Sequence, residues 1–147
     1  MMEGKVDVII RIAQKQDIPD ILRINDLMNG VGYSTAEHIK NSLERNPNEI
    51  VLVAIHNDKT IGLICGMLKP SICYAKSIPC EVTELFVCED YRRKGIASKL
   101  IKQLENEFDK NNTDEVILLT GKKNINAQKF YENSGYDVFE RVVYIRK

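Results

Sequence analysis

The sequence predicts an α/β chain of the α+β kind. Its central sheet is mixed and mostly antiparallel, with six to seven strands flanked by about four helices. Three observations predict it. Residues 50–68 read as strand, short polar turn and returning strand, which is an antiparallel hairpin. Residues 82–119 read as strand, helix and strand, a βαβ crossover. Its second strand, Val116-Ile117-Leu118-Leu119, is continuously apolar, as a buried parallel strand is.

Each element has a local reason. Val6 to Ile12 is a short apolar strand. Asp17 then caps a helix carrying Ile18, Ile21, Leu22, Ile24 and Leu27, and its charge suits the helix N-terminus. Asn29-Gly30-Val31-Gly32 breaks that helix. Ser34-Thr35-Ala36-Glu37 is a capping-box pattern that opens a second helix, with Ala36, Ile39 and Leu43 inward, ending near Asn46-Pro47. The loop from Met28 to Ser34, with two glycines and Tyr33, is placed to line a cleft or simply to connect. Ile50 to His56 and Thr60 to Leu68 are the hairpin strands, joined by Asn57-Asp58-Lys59. A loop from Pro70 to Pro79 leads into a strand from Glu81 to Val87. Ile96, Leu100, Ile101, Leu104 and Phe108 form one face of the crossover helix. Asn124 to Ser134 is a short helix with Gly135 as its C′ residue. Strands follow around Tyr136–Val138 and Val142–Ile145.

Composition narrows the function classes. The 147 residues, read as one domain over 1–147, are 44% hydrophobic and 29% charged. The 21 basic and 21 acidic residues cancel. That balance argues against nucleic acid or an anionic membrane as the main partner. The start, Met1-Met2-Glu3-Gly4-Lys5, lacks the apolar core of a signal peptide, and no apolar run is long enough for a membrane span. Cys65, Cys73, Cys80 and Cys88 form no C-x-x-C pair, and His38 and His56 supply no zinc spacing. We read reduced thiols, no metal and a cytoplasmic location.

The basic residues concentrate where the crossover strand turns into its helix, at Arg92-Arg93-Lys94-Gly95. A helix N-terminus offers unpaired N–H groups and the positive end of a dipole. Gly95 removes a Cβ from the approach of an anion. The turn also lies at the carboxyl end of a sheet strand, where open α/β sheets bind ligands. Gly121-Lys122-Lys123 follows the next strand on the same edge. Neither G-x-x-x-x-G-K-[ST] nor G-x-G-x-x-G is present.

Arg92-x-x-Gly95-x-Ala97 resembles the [QR]-x-x-G-x-[GA] signature of the GNAT superfamily of acyl-CoA-dependent N-acetyltransferases. Asn124, Ala127, Phe130, Tyr131, Gly135 and Tyr136 resemble its second signature, N-x-x-A-x-x-[FL]-Y-x-x-x-G-[FY]. Ile10-Arg11-Ile12-Ala13 followed by Asp17-Ile18 resembles the family's first strand and helix. The likeness spans nearly the whole chain. It implies a GNAT-like fold with a βαβ acetyl-CoA-binding core, and transfer of acetyl from acetyl-CoA to a primary amine by direct attack. It implies that N–H groups from Arg93 through Ser98 (Arg93, Lys94, Gly95, Ile96, Ala97, Ser98) cradle the pyrophosphate, beside the charge of Arg92. It implies that Leu85, Phe86 and Val87 bond the pantetheine arm like an added strand, with Asn124 reaching it from the other side. Ala97 stands where many members have glycine.

The chemistry asks for a base and an acid. A lysine-like amine has a pKa of about 10.4, so holding it neutral at pH 7 costs roughly 4.6 kcal/mol. Glu84 is the candidate base, acting through water. A surface or salt-bridged glutamate is the competing reading, and Glu81 is the fallback. Tyr131 matches the family's general acid. With an ordinary pKa of about 10 it is protonated at pH 7 and can protonate a departing thiolate. Cys88 reads as a structural thiol rather than an acyl carrier. Glu37, Glu81 and Glu84 would suit a cationic acceptor, small molecule or protein. A non-catalytic acyl-CoA-binding regulatory module is the alternative. Oligomeric state is unreadable, although homodimers are frequent among similar proteins.

Overall fold

The structure, a computed structural model, describes residues 5–147. The first residues weighed above as a leader, 1–4, lie outside the described residues. Five strands and four α-helices follow in the order β1 (Ile9–Ile12), α1 (Ile18–Asn29), α2 (Ala36–Arg45), β2 (Glu49–His56), β3 (Lys59–Leu68), β4 (Cys80–Val87), α3 (Ile96–Asp109), β5 (Val116–Leu118) and α4 (Ile125–Asn133). One-turn 3-10 helices precede α1 at Lys15–Asp17 and α3 at Glu89–Tyr91.

The sheet runs β1-β2-β3-β4-β5 without a crossing. Its first three pairings are antiparallel and the last, β4 with β5, is parallel. The mixed, mostly antiparallel sheet is as expected, but among the described residues it has five strands and not six to seven. Residues 136–147 form neither helix nor strand. Val142-Val143-Tyr144-Ile145 has the composition of a strand, yet a strand exists only where a neighbour completes its ladder. Among the described residues, no backbone hydrogen bond joins 137–147 to the rest. β1 is also shorter than expected, starting at Ile9 rather than Val6.

Strand alternation divides the core between two faces. Leu52, Ala54, Ile64, Val82 and Val87 pack with Ile96, Leu100, Leu104 and Phe108 of α3. Val51, Val53 and Leu63 pack with Ile21 and Ile24 of α1, and Ile39 and Leu43 of α2 lie against them. α3 sits very close to β3. A Cβ built on Gly66 would lie 2.4 Å from Phe108 Cζ. The hairpin turn has φ of 49° at Asn57 and 60° at Asp58, the pair of positive values a two-residue connection needs to match strand twist.

Both expected N-terminal caps differ in detail. The Asp17 side chain accepts no capping hydrogen bond from α1. Its carboxylate instead takes two hydrogen bonds from Arg11, at 2.6 and 2.9 Å, and one from the Gln14 N–H at 2.7 Å. The partner that reaches Asp17 is on β1, and a bidentate guanidinium outcompetes a cap. The cap of α2 is Thr35 and not Ser34, its hydroxyl accepting from the His38 N–H at 3.0 Å.

Candidate active site

The candidate site forms where β4 separates from β5. Register pairs Cys65 with Glu84 but Gly66 with Val82, so Thr83 is an extra residue in β4. Its hydroxyl donates to the Cys65 carbonyl at 3.1 Å. Such a bulge bends its strand. The β5 pairing covers Cys80, Glu81 and Val82, so among the described residues no strand pairs with 84–87 on the β5 side.

Ladder parity shows which backbone groups face that gap. The Cys88 N–H donates to the Ile61 carbonyl at 2.8 Å. In an antiparallel ladder the bonded pairs alternate, so Phe86 also bonds inward toward Leu63. Leu85 and Val87 then turn their N–H and C=O groups outward. Of the three residues expected to act as an added edge, two have the right parity and Phe86 does not.

The phosphate turn comes next. Gly95 has φ 77° and ψ 9°, the left-handed region, and immediately precedes α3. Among the described residues, nothing beyond its two chain neighbours lies within 4 Å of a Cβ built there, so the glycine is required by conformation and not by crowding. Arg93 is also left-handed, with φ 61°. Among the described residues, no protein acceptor takes the N–H groups of residues 93–98. These free donors, at the positive end of a 14-residue helix, suit a pyrophosphate. Ile96 is buried and anchors the turn, while Arg93 and Ser98 are exposed.

Arg92 is placed differently from its neighbours. Its Nε donates to the Val87 carbonyl at 2.9 Å, and its guanidinium lies 5.3 Å from the Phe86 ring centroid. It therefore ties the turn to β4. Asn124 also has a local task. Its Oδ1 accepts from the Ala127 N–H at 3.1 Å and caps α4. That leaves its Nδ2 group to donate elsewhere.

The two catalytic candidates approach from different sides. Glu84 lies opposite Cys65 on β3. Burial pushes its carboxyl pKa above the usual range. Cys65 is raised far more by burial, with the charges of Glu49 and Glu84 adding to it. Glu81, the fallback base, is tied up in an ion pair with Lys69. Tyr131, on α4, packs against the core cluster that contains Val87 and Leu100, as Leu85 also does. Its ring centroid is 5.3 Å from Phe130 and 6.2 Å from Tyr136, both edge-on. Burial raises its pKa, which keeps the phenol protonated at neutral pH.

The end of α4 holds this group in place. The Tyr136 N–H bonds the Tyr131 carbonyl and the Gly135 N–H bonds the Glu132 carbonyl. With Gly135 at φ 91° this is a Schellman ending, as expected for a C′ glycine. Two residues near the site were not singled out from sequence, Glu49 and Cys65. Only the β2–β3–β4 register reveals that they share a face with Glu84. Their spacing in the chain carries no such signal.

Residues 18–136 match the Acetyltransferase (GNAT) family. An N-alpha-acetyltransferase of Saccharolobus solfataricus is 29% identical over 142 residues, covering 88% of this chain and 80% of the relative. An aminoglycoside acetyltransferase, meta-AAC0020, from an uncultured soil metagenomic sample superposes with a TM-score of 0.82 at 22% identity, covering 95% of each chain. AAC(6')-Iy, solved with the bisubstrate analog CoA-S-monomethyl-acetylneamine, superposes with a TM-score of 0.82 at 19% identity, covering 96% of this chain and 98% of that one. The solved neighbours share the fold, and the match to the family over residues 18–136 shows that the chain belongs to the GNAT family of acetyltransferases.

Proposed function

We propose that this acyltransferase is one N-acetyltransferase domain that moves the acetyl group of acetyl-CoA to a primary amine by direct attack. The observation that carries the reading is the open edge of β4 beside a helix N-terminus with free N–H groups. The pyrophosphate would rest on the N–H groups of residues 93–98, and the pantetheine arm would lie along Leu85 and Val87. The amide of Asn124 would donate to the arm from the other side of the gap. Acetyl-CoA supplies an activated thioester.

The amine lone pair forms the new C–N bond as the C–S bond breaks. The departing thiolate takes the proton of Tyr131, and the amine's proton leaves through water to Glu84. The raised pKa of Glu84 supports this role, because a base poised nearer neutrality captures the proton better. An oxyanion or charge relay through metal is not needed by this scheme. The acceptor is a small-molecule or protein amine. The Saccharolobus solfataricus relative is named an N-alpha-acetyltransferase, meta-AAC0020 is named an aminoglycoside acetyltransferase, and AAC(6')-Iy was solved with a bisubstrate analog built from CoA, which supports an amine acceptor.

The test is acetyl-CoA-dependent thiol release against a panel of peptides, polyamines and aminoglycosides. Tyr131→Phe should lower kcat by about 10²–10⁴-fold with the KM for acetyl-CoA nearly unchanged. Full activity in that variant would remove Tyr131 from the mechanism. Binding of acetyl-CoA without release for any amine would favour a regulatory acyl-CoA-binding module.

A further inference from the structure

We infer that Tyr136 is a positioning residue for the acetyl transfer, its phenolic O–H donating to the Tyr131 oxygen as Tyr131 gives up its proton. The inference rests on the reading of Tyr131 as general acid. The Tyr136 hydroxyl is buried and, among the described residues, has no hydrogen-bond partner. A buried polar group left unpaired is costly and uncommon. Phenylalanine would fill the same space without that cost. The cost is offset where a partner for the hydroxyl arises only during the reaction. Tyr131 is placed to be that partner. The two rings meet edge-on, with centroids 6.2 Å apart. The Tyr136 N–H bonds the Tyr131 carbonyl at 3.0 Å, so backbone and ring together fix one side chain against the other. Both rings pack against the core cluster that contains Leu100 and Leu104 of α3. The Tyr136 hydroxyl is unbonded in the free protein, as catalytic hydrogen bonds often are before the reactants bind.

The chemistry calls for such a donor. As the C–S bond breaks, its electron pair leaves on sulfur. The sulfur takes the Tyr131 proton and a phenolate remains. An ordinary phenol has a pKa of about 10 and an ordinary thiol about 8.5, so this transfer runs uphill by roughly thirtyfold. Burial of Tyr131 makes it steeper. An O–H aimed at the oxygen where charge develops offsets that penalty. Tyr136 keeps its own proton throughout. Burial, and then the charges of Glu105 and Tyr131, push its pKa above the ordinary value. Glu105, on α3, is itself raised chiefly by burial, with Lys102 opposing and Asp109 adding to the shift. The Tyr131 phenolate regains a proton from water before the next turnover, which balances the proton that leaves through Glu84.

The experiment measures thiol release from acetyl-CoA, with the panel of peptides, polyamines and aminoglycosides, in Tyr136→Phe, Tyr131→Phe and the double variant of the full chain. Melting temperatures are read alongside. Tyr136→Phe should lower kcat by about tenfold to a hundredfold, the range for a hydrogen bond to a charged group, with the KM for acetyl-CoA unchanged. Its melting temperature should equal or exceed that of the wild type, because an unpaired buried hydroxyl has been removed. Added to Tyr131→Phe, the change should cost nothing further, since its effect acts through the Tyr131 oxygen. Wild-type kcat in Tyr136→Phe, beside an impaired Tyr131→Phe, overturns this proposal and leaves the general acid standing. So does a loss carried by KM, a loss that repeats in the Tyr131→Phe background, or one accompanied by a lower melting temperature. Full activity in Tyr131→Phe, or no release with any amine, overturns the parent reading and this proposal with it.

Discussion

At the residue scale, burial of charge sets the behaviour of Glu84 and Asp17. Glu84 has a folded pKa above its unfolded value because burial disfavours the carboxylate. The native state therefore holds the proton more tightly, and its stability falls as pH rises from about 4.3 through the raised value. Glu84→Gln should accordingly raise the melting temperature at pH 7 but not at pH 3. The same change should lower kcat and flatten the acid limb of the kcat/KM profile, which kinetics from pH 5 to 9 would read. Asp17 runs the other way. Its burial opposes ionisation, but the hydrogen bonds from Arg11 and the Gln14 N–H, with the Arg11 charge, outweigh it and lower the pKa. This stability is present above the ordinary value of about 3.9 and is lost as pH falls through the depressed one. Arg11→Ala leaves the Asp17 carboxylate buried without its cation. It should cost about 3 kcal/mol in urea unfolding at pH 7, with a smaller loss at pH 2.

At the element scale, the decisive feature is the strand–turn–helix unit of β4 and α3. Gly95 supplies the left-handed turn from which the free N–H groups are presented. A Cβ there meets nothing, so Gly95→Ala tests conformation alone. The left-handed geometry costs an ordinary residue about 1–2 kcal/mol. Calorimetry should show acetyl-CoA binding weakened by roughly tenfold, and Gly95→Asn should lose less, since asparagine tolerates this region better. An unchanged Kd in the alanine variant would mean the turn does not present donors to the cofactor. The turn was legible in the sequence because glycine before an amphipathic run has few other uses. The task of Arg92 was not. A basic residue in a basic cluster gives no sign that its guanidinium folds back onto Phe86 and Val87.

At the scale of the whole molecule, ligand binding and folding are coupled. A co-substrate that binds only the native state at a hundred times its Kd adds about 2.7 kcal/mol. Acetyl-CoA at that level should raise the melting temperature by roughly 5–10 °C, measured by scanning calorimetry. Free adenine at the same concentration should not. The helices, the hairpin and the βαβ crossover were readable because each depends on local periodicity. Ile96, Leu100, Ile101, Leu104 and Phe108 must share a face in any helix, and Leu52 and Val53 must point to opposite sides in any strand. The two family signatures were readable for the same reason, being short and contiguous. Other features depend on which strand lies beside which, and chain spacing does not carry that. The Thr83 bulge and the parting of β4 from β5 needed the register, as did the grouping of Glu84 with Cys65 and Glu49. So did the fate of Val142–Ile145. Its composition is that of a strand, but only a neighbouring backbone can make it one.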